Sequence, residues 1–247
     1  GETSDRTSKS DKIRRKLLAW FGKHGRPFPW RHPRHGSFEM ILAEMLLQRT
    51  RAEKVASFFA LFLERFPTWE ALAEAGEHEI GQFLKPIGLW KRRAASMAAL
   101  SRAMVARQGV FPRTREEIES LPGVGQYIAN AVLMFVHGKP EPLLDVNMAR
   151  VLERVFGPRK LADIRYDPYL QGLSREVVRG KHTAELNWAI LDLAAKVCTI
   201  SNPKCGICPI AVQCKLAQER REEERRQGII GSPNLKGSKP SKESKNS

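Results

Sequence analysis

The four cysteines of the chain lie close together in the sequence and could bind a metal centre. They are spaced Cys198-x6-Cys205-x2-Cys208-x5-Cys214, after a long segment without cysteine. Such clustering is typical of a metal site and not of a disulfide framework. Four thiolates can hold one tetrahedral zinc ion or one cubane iron–sulfur cluster. Because zinc sites usually pair two Cys-x-x-Cys arms and only one is present, the spacing favours a [4Fe–4S] cluster over zinc.

A glycine-rich turn in the second half of the chain could bind a phosphate. The segment Leu121-Pro-Gly-Val-Gly-Gln-Tyr-Ile-Ala predicts a helix, a tight turn at Gly123, Val124 and Gly125, and a second helix from Gln126. Glycines let a phosphate approach the backbone, and the N–H groups of the second helix favour its charge. Such a contact holds a nucleic-acid backbone without reading its sequence. The same pattern also fits a plain corner between two helices.

Two acidic residues stand where a carboxylate could do chemistry. Asp145 precedes a helical apolar run in Leu-Leu-Asp-Val-Asn-Met-Ala-Arg-Val-Leu, where it is expected to cap the helix. A carboxylate held there keeps its negative charge and can stabilise a cationic sugar or orient a water. Glu44 falls on an otherwise apolar helix face. Because burying an unpaired carboxylate is costly, we expect Glu44 to face a polar cavity.

The charge balance indicates an anionic partner. The chain has 42 Lys and Arg against 27 Asp and Glu, a net charge of +15. Nine of the basic and five of the acidic residues lie after the last cysteine, in residues 215–247, so most of the excess belongs to the rest of the chain. A basic body of this kind suggests binding to nucleic acid. A merely solvated cationic surface would give the same count.

Helices must position these residues, because no segment alternates with the period of a strand. The chain is long enough for one or two compact domains, and the fold class is predicted to be all-α. Helical apolar spacing predicts helices at residues 11–24, 37–48, 52–66, 68–75, 77–85, 91–108, 114–121, 126–137, 145–156, 169–179 and 184–197. Residues 1–10 are predicted to be disordered, and residues 218–247 to form a flexible basic tail.

Several function classes are not supported by the sequence. No stretch approaches the roughly 20 apolar residues of a membrane span, and residues 1–11 lack the apolar region of a secretory signal. We therefore expect no membrane partner and an intracellular protein, in the cytoplasm or nucleoid of a prokaryote or the nucleus of a eukaryote. There is no phosphate loop of the P-loop or dinucleotide type and no Cys/His nucleophile arrangement.

Taken together, three features resemble the helix-hairpin-helix DNA glycosylases of the endonuclease III superfamily. These are the Gly-Val-Gly turn, Asp145 and the C-x6-C-x2-C-x5-C array, in this order; the resemblance runs from about Ile13 to Cys214. It implies base excision repair by an enzyme that flips a base out of the duplex and cuts its N-glycosidic bond. Asp145 matches the catalytic aspartate of the family, and the cysteines match its cluster ligands.

The resemblance also implies an architecture and a partner. Two helical domains should flank a DNA-binding cleft. The six-helix barrel domain should span residues 32–144, with the helix-hairpin-helix at about 115–138, and the iron–sulfur cluster domain should combine residues 11–31 and 145–217. The implied partner is double-stranded DNA with a mismatched or damaged base, bound by a monomer.

One departure from the family changes the expected chemistry. Bifunctional members carry a lysine two residues after the second hairpin glycine, where it forms a Schiff base with the sugar. Tyr127 occupies that position here. We therefore expect a monofunctional glycosylase without Schiff-base lyase activity. Tyr127 either packs beneath the cleft or contacts the base or sugar.

Other site residues follow from the resemblance. In adenine mismatch glycosylases and their thymine relatives, a glutamate at the place of Glu44 serves the flipped base. Gln48 and Arg49 end the same helix, where the family inserts a wedge into the gap left by that base. An ordinary surface role for Arg49 stays open.

The identity of the base is the least determined feature. Phe28-Pro-Trp-Arg-His and Ile87-Gly-Leu-Trp-Lys-Arg-Arg-Ala are similar to thymine or uracil mismatch glycosylases, which makes Trp30, Arg31, Trp90 and Lys91 expected DNA contacts. Adenine glycosylases share Pro-Trp-Arg and Glu44, but usually show Gln-Gln-Thr and carry a second carboxyl-terminal domain. This chain continues for 33 residues after Cys214, in low-complexity sequence.

These features favour thymine or uracil opposite guanine as the target. Adenine and an oxidised or modified pyrimidine stay open as alternatives. A non-catalytic iron–sulfur DNA-binding protein could use the same scaffold, although a pure binder would need neither Asp145 nor Glu44 beside phosphates.

Overall fold

The computed structural model describes residues 2–32 and 36–230, and these residues form helices and loops without a strand. The all-α prediction is confirmed. The α-helices of the described part are α1 (Glu2–His24), α2 (Ser37–Leu47), α3 (Ala52–Arg65), α4 (Trp69–Leu84), α5 (Trp90–Ala106), α6 (Arg115–Glu119), α7 (Gln126–Phe135), α8 (Val146–Phe156), α9 (Pro168–Val178), α10 (Thr183–Lys196) and α11 (Lys215–Arg226). Among the described residues no helix is both long and apolar enough to span a membrane.

The middle of the chain builds the larger hydrophobic core. Its buried residues run from Trp30 to Leu143 and come mainly from α2, α3, α4, α5 and α7. The buried face of α3 is aromatic, because Phe58, Phe59 and Phe62 recur at helical spacing and pack against other rings. Helix α4 contains Gly76 with φ 76°, so it bends where the sequence predicts a break between two helices.

A second core joins the two ends of the chain. Ile13 and Leu17 of α1 pack with buried residues between Leu144 and Ala217. Helix α1 therefore lies against α9 and α10, far along the sequence. The described residues thus form two separate hydrophobic clusters, and the division into a six-helix domain and a second domain made from both ends of the chain stays a prediction.

The prediction of disorder for residues 1–10 is wrong for the described part of that segment. Helix α1 begins at Glu2, and its first turns contact α9. Arg6 Nε and Ser10 Oγ both donate to the Glu176 carboxylate, at 2.7 and 3.0 Å. The Lys9 ammonium lies 4.7 Å from the centre of the Phe156 ring. These tertiary contacts order a stretch whose composition alone is polar.

The prediction of a flexible tail from residue 218 is also wrong in part. Helix α11 continues to Arg226. Ala217 is buried against the second core, and Arg221 donates to the Ala211 carbonyl oxygen at 2.9 Å. Charge pairs along the helix, such as Glu222 with Arg226, add support. The rest of the predicted tail, residues 231–247, lies outside the described residues.

Candidate active site

A cavity of about 330 Å³ lies where the two cores meet, within the usual range for a small-molecule pocket. Glu44 of α2 and Tyr127 of α7 reach it from the larger core, and Asp145 reaches it from the start of α8. Trp188 of α10 also lines the cavity. The structure thus brings together the three residues that the sequence singles out for catalysis.

Glu44 is almost fully buried and paired with a tyrosine. Its side chain is 3% exposed, and the Tyr127 hydroxyl donates to Glu44 Oε2 at 2.7 Å. Burial raises the pKa of Glu44 to about 7, although the Tyr127 hydrogen bond and the charge of Arg31 act in the opposite direction. Repulsion from Asp145 adds to the increase. A carboxyl group in this state can donate a proton near neutral pH.

Asp145 is held as a hydrogen-bond acceptor at the amino end of α8. Its Oδ1 accepts from the Met148 backbone N–H at 2.8 Å, which confirms the predicted helix cap. Its Oδ2 accepts from Asn147 Nδ2 at 3.0 Å. The dipole of α8 and these two donors stabilise a negative charge on the carboxylate. Glu44 and Asp145 therefore offer one proton donor and one anion to the same cavity.

A hydrogen-bonded chain that sequence reasoning missed connects Asp145 to the cysteine loop. Asn147 Oδ1 accepts from Arg150 Nη1 at 3.0 Å. Arg150 Nε in turn donates to the Cys198 carbonyl oxygen at 3.0 Å, and Nη2 to that of Ala194. The signal in the sequence was the spacing of Asn147 and Arg150, three residues apart on one helix face.

Trp30 and Arg31 lie in the cavity wall instead of on an open surface. Trp30 is 4% exposed, and its ring stacks on Phe28 at 4.7 Å between centres. The Arg31 guanidinium makes two hydrogen bonds of 2.8 and 2.9 Å with the fully buried carboxylate of Asp192. Asp192 also accepts from the backbone N–H of Arg26 at 2.8 Å. This bidentate pair fixes the orientation of Arg31 beside the cavity.

The glycine turn has the geometry that a close backbone approach requires. Gly123 has φ 70°, and a Cβ there would lie 2.8 Å from the Ser96 Cβ of α5. Gly125 precedes α7, which has no side-chain cap, so its first N–H groups can serve an outside acceptor. Val124 is buried, and Gln126 donates to the Arg165 carbonyl oxygen at 3.0 Å. The side chains of Val124 and Gln126 thus make their contacts within the protein.

The predicted wedge residues are exposed and border the cavity. Gln48 and Arg49 lie on the surface, and their neighbours Leu47 and Thr50 line the cavity. Arg49 has φ 60°, an unusual conformation for a residue other than glycine.

Trp90 and Lys91 begin helix α5 and are half-buried and exposed, respectively. The ammonium groups of Lys85 and Lys91 lie 5.1 and 5.4 Å from the centre of the Trp90 ring. Two positive charges therefore lie close to the same aromatic ring at this end of the helix.

The four cysteines all line one largely apolar cavity beside α8, α10 and α11. Among the described residues, no group of three or more His, Cys, Asp or Glu side chains is arranged to hold a single metal ion. The four cysteines are thus gathered around one space. Four cysteine thiolates gathered at one place can hold either a zinc ion or an iron–sulfur cluster.

Two arginines point donors at the cysteine sulfurs. Arg154 Nη1 lies 3.4 Å from Cys198 Sγ, and Arg220 Nη1 lies 3.6 Å from Cys205 Sγ. Burial raises the pKa of the Cys208 thiol to about 11, and the other three cysteines add to the increase. Positive groups beside a buried set of sulfurs can offset the negative charge of thiolates and of a cluster.

The helical fold, the cavity between two cores and the uncapped hairpin helix define a DNA glycosylase of the helix-hairpin-helix class. Residues 42–166 match the model of the HhH-GPD superfamily of base excision DNA repair proteins, and the chain belongs to this family. The chain is therefore a DNA N-glycosylase of base excision repair, and DNA is its substrate.

Characterised relatives extend over most of the chain. The thymine/uracil-DNA glycosylase of Pyrobaculum aerophilum is 38% identical over 85% of this chain and 94% of its own length. The thymine-DNA glycosylase of Aeropyrum pernix is 37% identical over 82% and 92%. The human adenine DNA glycosylase is 31% identical over 92% of this chain but only 42% of its own length.

Solved structures agree with this assignment. A thermostable thymine-DNA glycosylase superimposes with a TM-score of 0.78 and 30% identity, over 86% of this chain and 98% of the other. A non-covalent endonuclease III–DNA complex gives a TM-score of 0.73 at 20% identity, which shows that the fold is the same. The predicted family, fold and reaction class are confirmed.

Proposed function

We propose that the enzyme removes thymine or uracil opposite guanine from duplex DNA. A thymine/uracil-DNA glycosylase and a thymine-DNA glycosylase align with this chain over nearly their whole length, at 38 and 37% identity. The observation that carries the chemical part of the proposal is the cavity shared by Glu44 and Asp145. Mispairing lowers the cost of flipping, which itself favours a mismatched base.

The two carboxyl groups divide the work of breaking the N-glycosidic bond. As the bond breaks, its electron pair leaves with the base, and protonated Glu44 donates a proton to an oxygen or nitrogen of that base. The Asp145 carboxylate stabilises the positive charge that develops on the sugar. Water then adds to the sugar carbon and releases a proton, which leaves an abasic site. Tyr127 orients Glu44 through its hydroxyl.

Tyr127 also accounts for the second part of the proposal, which is hydrolysis without a Schiff base. A phenol has no amine that could form an imine with the sugar. Borohydride treatment of the enzyme with an abasic duplex is therefore expected to give no efficient covalent adduct. An adduct in high yield would contradict this part and leave the proposed base unaffected.

Several groups are proposed to hold the duplex. The backbone of Gly123–Gln126 and the lysine pair around Trp90 bind phosphates, while Gln48 and Arg49 enter the helix beside the flipped base. Trp30 and Arg31 act within the pocket, since both line the cavity. We expect the enzyme to act as a monomer inside the cell.

A [4Fe–4S] cluster is the proposed cofactor, held by Cys198, Cys205, Cys208 and Cys214. When bound, it would supply cross-links that hold the loop between α10 and α11, with no part in the hydrolysis. The loop is joined to Asp145 through Asn147 and Arg150, so its order supports the active site.

A panel of duplexes tests the proposed base. Each duplex carries a single guanine–thymine, guanine–uracil, guanine–adenine, oxidised guanine–adenine or damaged-pyrimidine site, and alkali cleaves the strand wherever a base has been lost. Product from the first two substrates is expected. Release of adenine alone would contradict the proposal, and absence of product from every duplex would favour a non-catalytic DNA-binding protein.

A further inference from the structure

Arg93 of α5 is a buried cation that the proposed chemistry does not use. Arg93 is 9% exposed, although Lys91 and Arg92, which precede it on the helix, are exposed. Among the described residues it pairs with no carboxylate; its guanidinium instead donates to two carbonyl oxygens and one hydroxyl. Burial lowers its pKa. Because burying an unpaired charge is costly, its partners indicate what the side chain does.

The partners of Arg93 belong to two loops that are far apart in the sequence. Nη2 donates to the Gln48 carbonyl oxygen at 2.5 Å and to the Thr50 hydroxyl. Nη1 donates to the Gly88 carbonyl oxygen at 3.2 Å. One planar guanidinium thus joins the loop after α2 to the loop before α5.

Each of these carbonyl groups precedes a residue with a left-handed backbone. Arg49 follows Gln48 and has φ 60°, and Leu89 follows Gly88 and has φ 51°. In the described part of the chain, Gln108 is the one other residue besides glycine with a positive φ. Such conformations persist only where the surroundings hold them. Arg93 binds the two peptide groups that lead into the strained residues.

Both strained residues present their side chains to solvent. Arg49 is exposed, and Leu89 is 52% exposed despite being apolar. Helix α5 also contacts the hairpin turn, since Gly123 packs on Ser96 one turn after Arg93. Helix α5 therefore contacts three exposed segments. These are the loop of the proposed wedge at residues 48–50, the loop at residues 88–89 and the glycine turn proposed to bind phosphate.

We propose that Arg93 is a positioning residue that locks the loops at 48–50 and 88–89 together, so that Arg49 and Leu89 meet the duplex as one rigid edge during base extrusion. This inference rests on the proposed function. Arg93 touches neither the reacting atoms nor the cavity. Its loss should slow extrusion of the base and leave the cutting of an already accessible base nearly unchanged.

The test compares Arg93→Gln with a matched control, Arg92→Gln. Arg92 is the exposed neighbour on the same helix, so its substitution removes the same charge without touching either loop. Base flipping is followed by the fluorescence of 2-aminopurine placed next to a guanine–thymine pair. We expect Arg93→Gln to slow flipping by about tenfold, and Arg92→Gln to change it by less than about twofold.

A second substrate separates positioning from a general structural role. In it the target thymine faces a one-nucleotide gap, so that it has no partner and flips readily. Arg93→Gln should release this thymine at close to the wild-type rate. An equal loss on both substrates would mean that Arg93 only supports the fold, and this would overturn the proposal. So would an unchanged flipping rate on the paired substrate.

A double-mutant cycle identifies the loop through which Arg93 acts. If Arg93 works through Arg49, then Arg93→Gln should cause little further loss in a protein that already carries Arg49→Ala. Independent, multiplicative losses would contradict the proposal. Should Arg93→Gln not fold, Thr50→Val removes one partner of the guanidinium and keeps the side-chain shape. It is then expected to slow flipping severalfold, and an unchanged rate overturns the inference.

The wild-type control distinguishes this failure from that of the proposed function. If the wild-type protein produces no fluorescence change and no base release on any mismatched duplex, then the proposed function itself fails. If the wild-type protein flips and releases thymine and Arg93→Gln does the same at equal rates, only the inference about Arg93 fails.

Discussion

Replacing Tyr127 by phenylalanine should move the pH dependence of the enzyme to higher pH. The Tyr127 hydroxyl donates to Glu44 at 2.7 Å and thereby stabilises the charged carboxylate. Glu44 acts as an acid, so the rate should be full below its pKa of about 7 and fall as the pH rises through that value. Without the hydroxyl, the charged form loses a partner and the pKa of Glu44 rises further.

The size of the effect follows from the strength of one hydrogen bond. A hydrogen bond to a charged group contributes about 1.5–3 kcal/mol, of which the protonated acid keeps a part. If the charged form of Glu44 loses about 1.4 kcal/mol of stabilisation relative to the protonated form, its pKa rises by about one unit. The falling limb of the pH–rate profile, on its basic side, then moves to higher pH by the same amount. The rate of each enzyme is expressed as a fraction of its own maximum. At about one unit above pH 7, this fraction should be about fivefold larger for Tyr127→Phe than for the wild type.

The assay is single-turnover base release from a guanine–uracil duplex at constant ionic strength, from about pH 5 to about pH 9. Tyr166→Phe is the matched control, since Tyr166 is exposed and does not line the cavity. Glu44→Gln should abolish the limb altogether. A limb that stays in place in Tyr127→Phe, or moves to lower pH, would refute the coupling between Tyr127 and Glu44.

Two further predictions concern the contacts that hold the site together. Asp192→Ala should lower the free energy of unfolding by about 3–5 kcal/mol, because it leaves Arg31 buried without its partner. Chemical denaturation measures this, and Glu222→Ala, which breaks the exposed pair with Arg226, should cost less than about 1 kcal/mol. Equal losses in the two variants would contradict the account. Glu176→Gln should weaken the attachment of the first turns of α1, and hydrogen exchange should show faster exchange of the amides in residues 4–10 than in the wild type. Unchanged protection there would mean that other contacts order the segment.

The parts of the site that could be predicted from the sequence depend on local patterns. The cap of Asp145 on α8 follows from an acidic residue just before an apolar helical run. The buried place of Glu44 follows from its position on an apolar face. The catalytic roles expected of these residues came from the family resemblance, which rests in part on the cysteine spacing.

The parts that could not be predicted depend on contacts between distant residues. Asp192 meets Arg31 across 161 positions of the sequence, and nothing local marks either residue as a partner. The amino-terminal turns of α1 look disordered because their apolar content is low, yet Glu176 on α9 orders them. The link from Arg93 to Gln48 and Gly88 likewise exists only once α2 and α5 are packed together.

The most direct test of the central claim is the rate at which Asp145→Asn releases the base. The measurement is single-turnover release of thymine and uracil from guanine mismatches, alongside the affinity for the same duplexes. Removing the charge that stabilises the cationic sugar should slow release by about 10²–10³-fold and leave DNA binding nearly unchanged. Asp163→Asn, whose side chain is 41% exposed and lies outside the cavity, should behave like the wild type. Release by Asp145→Asn at the wild-type rate would contradict the account.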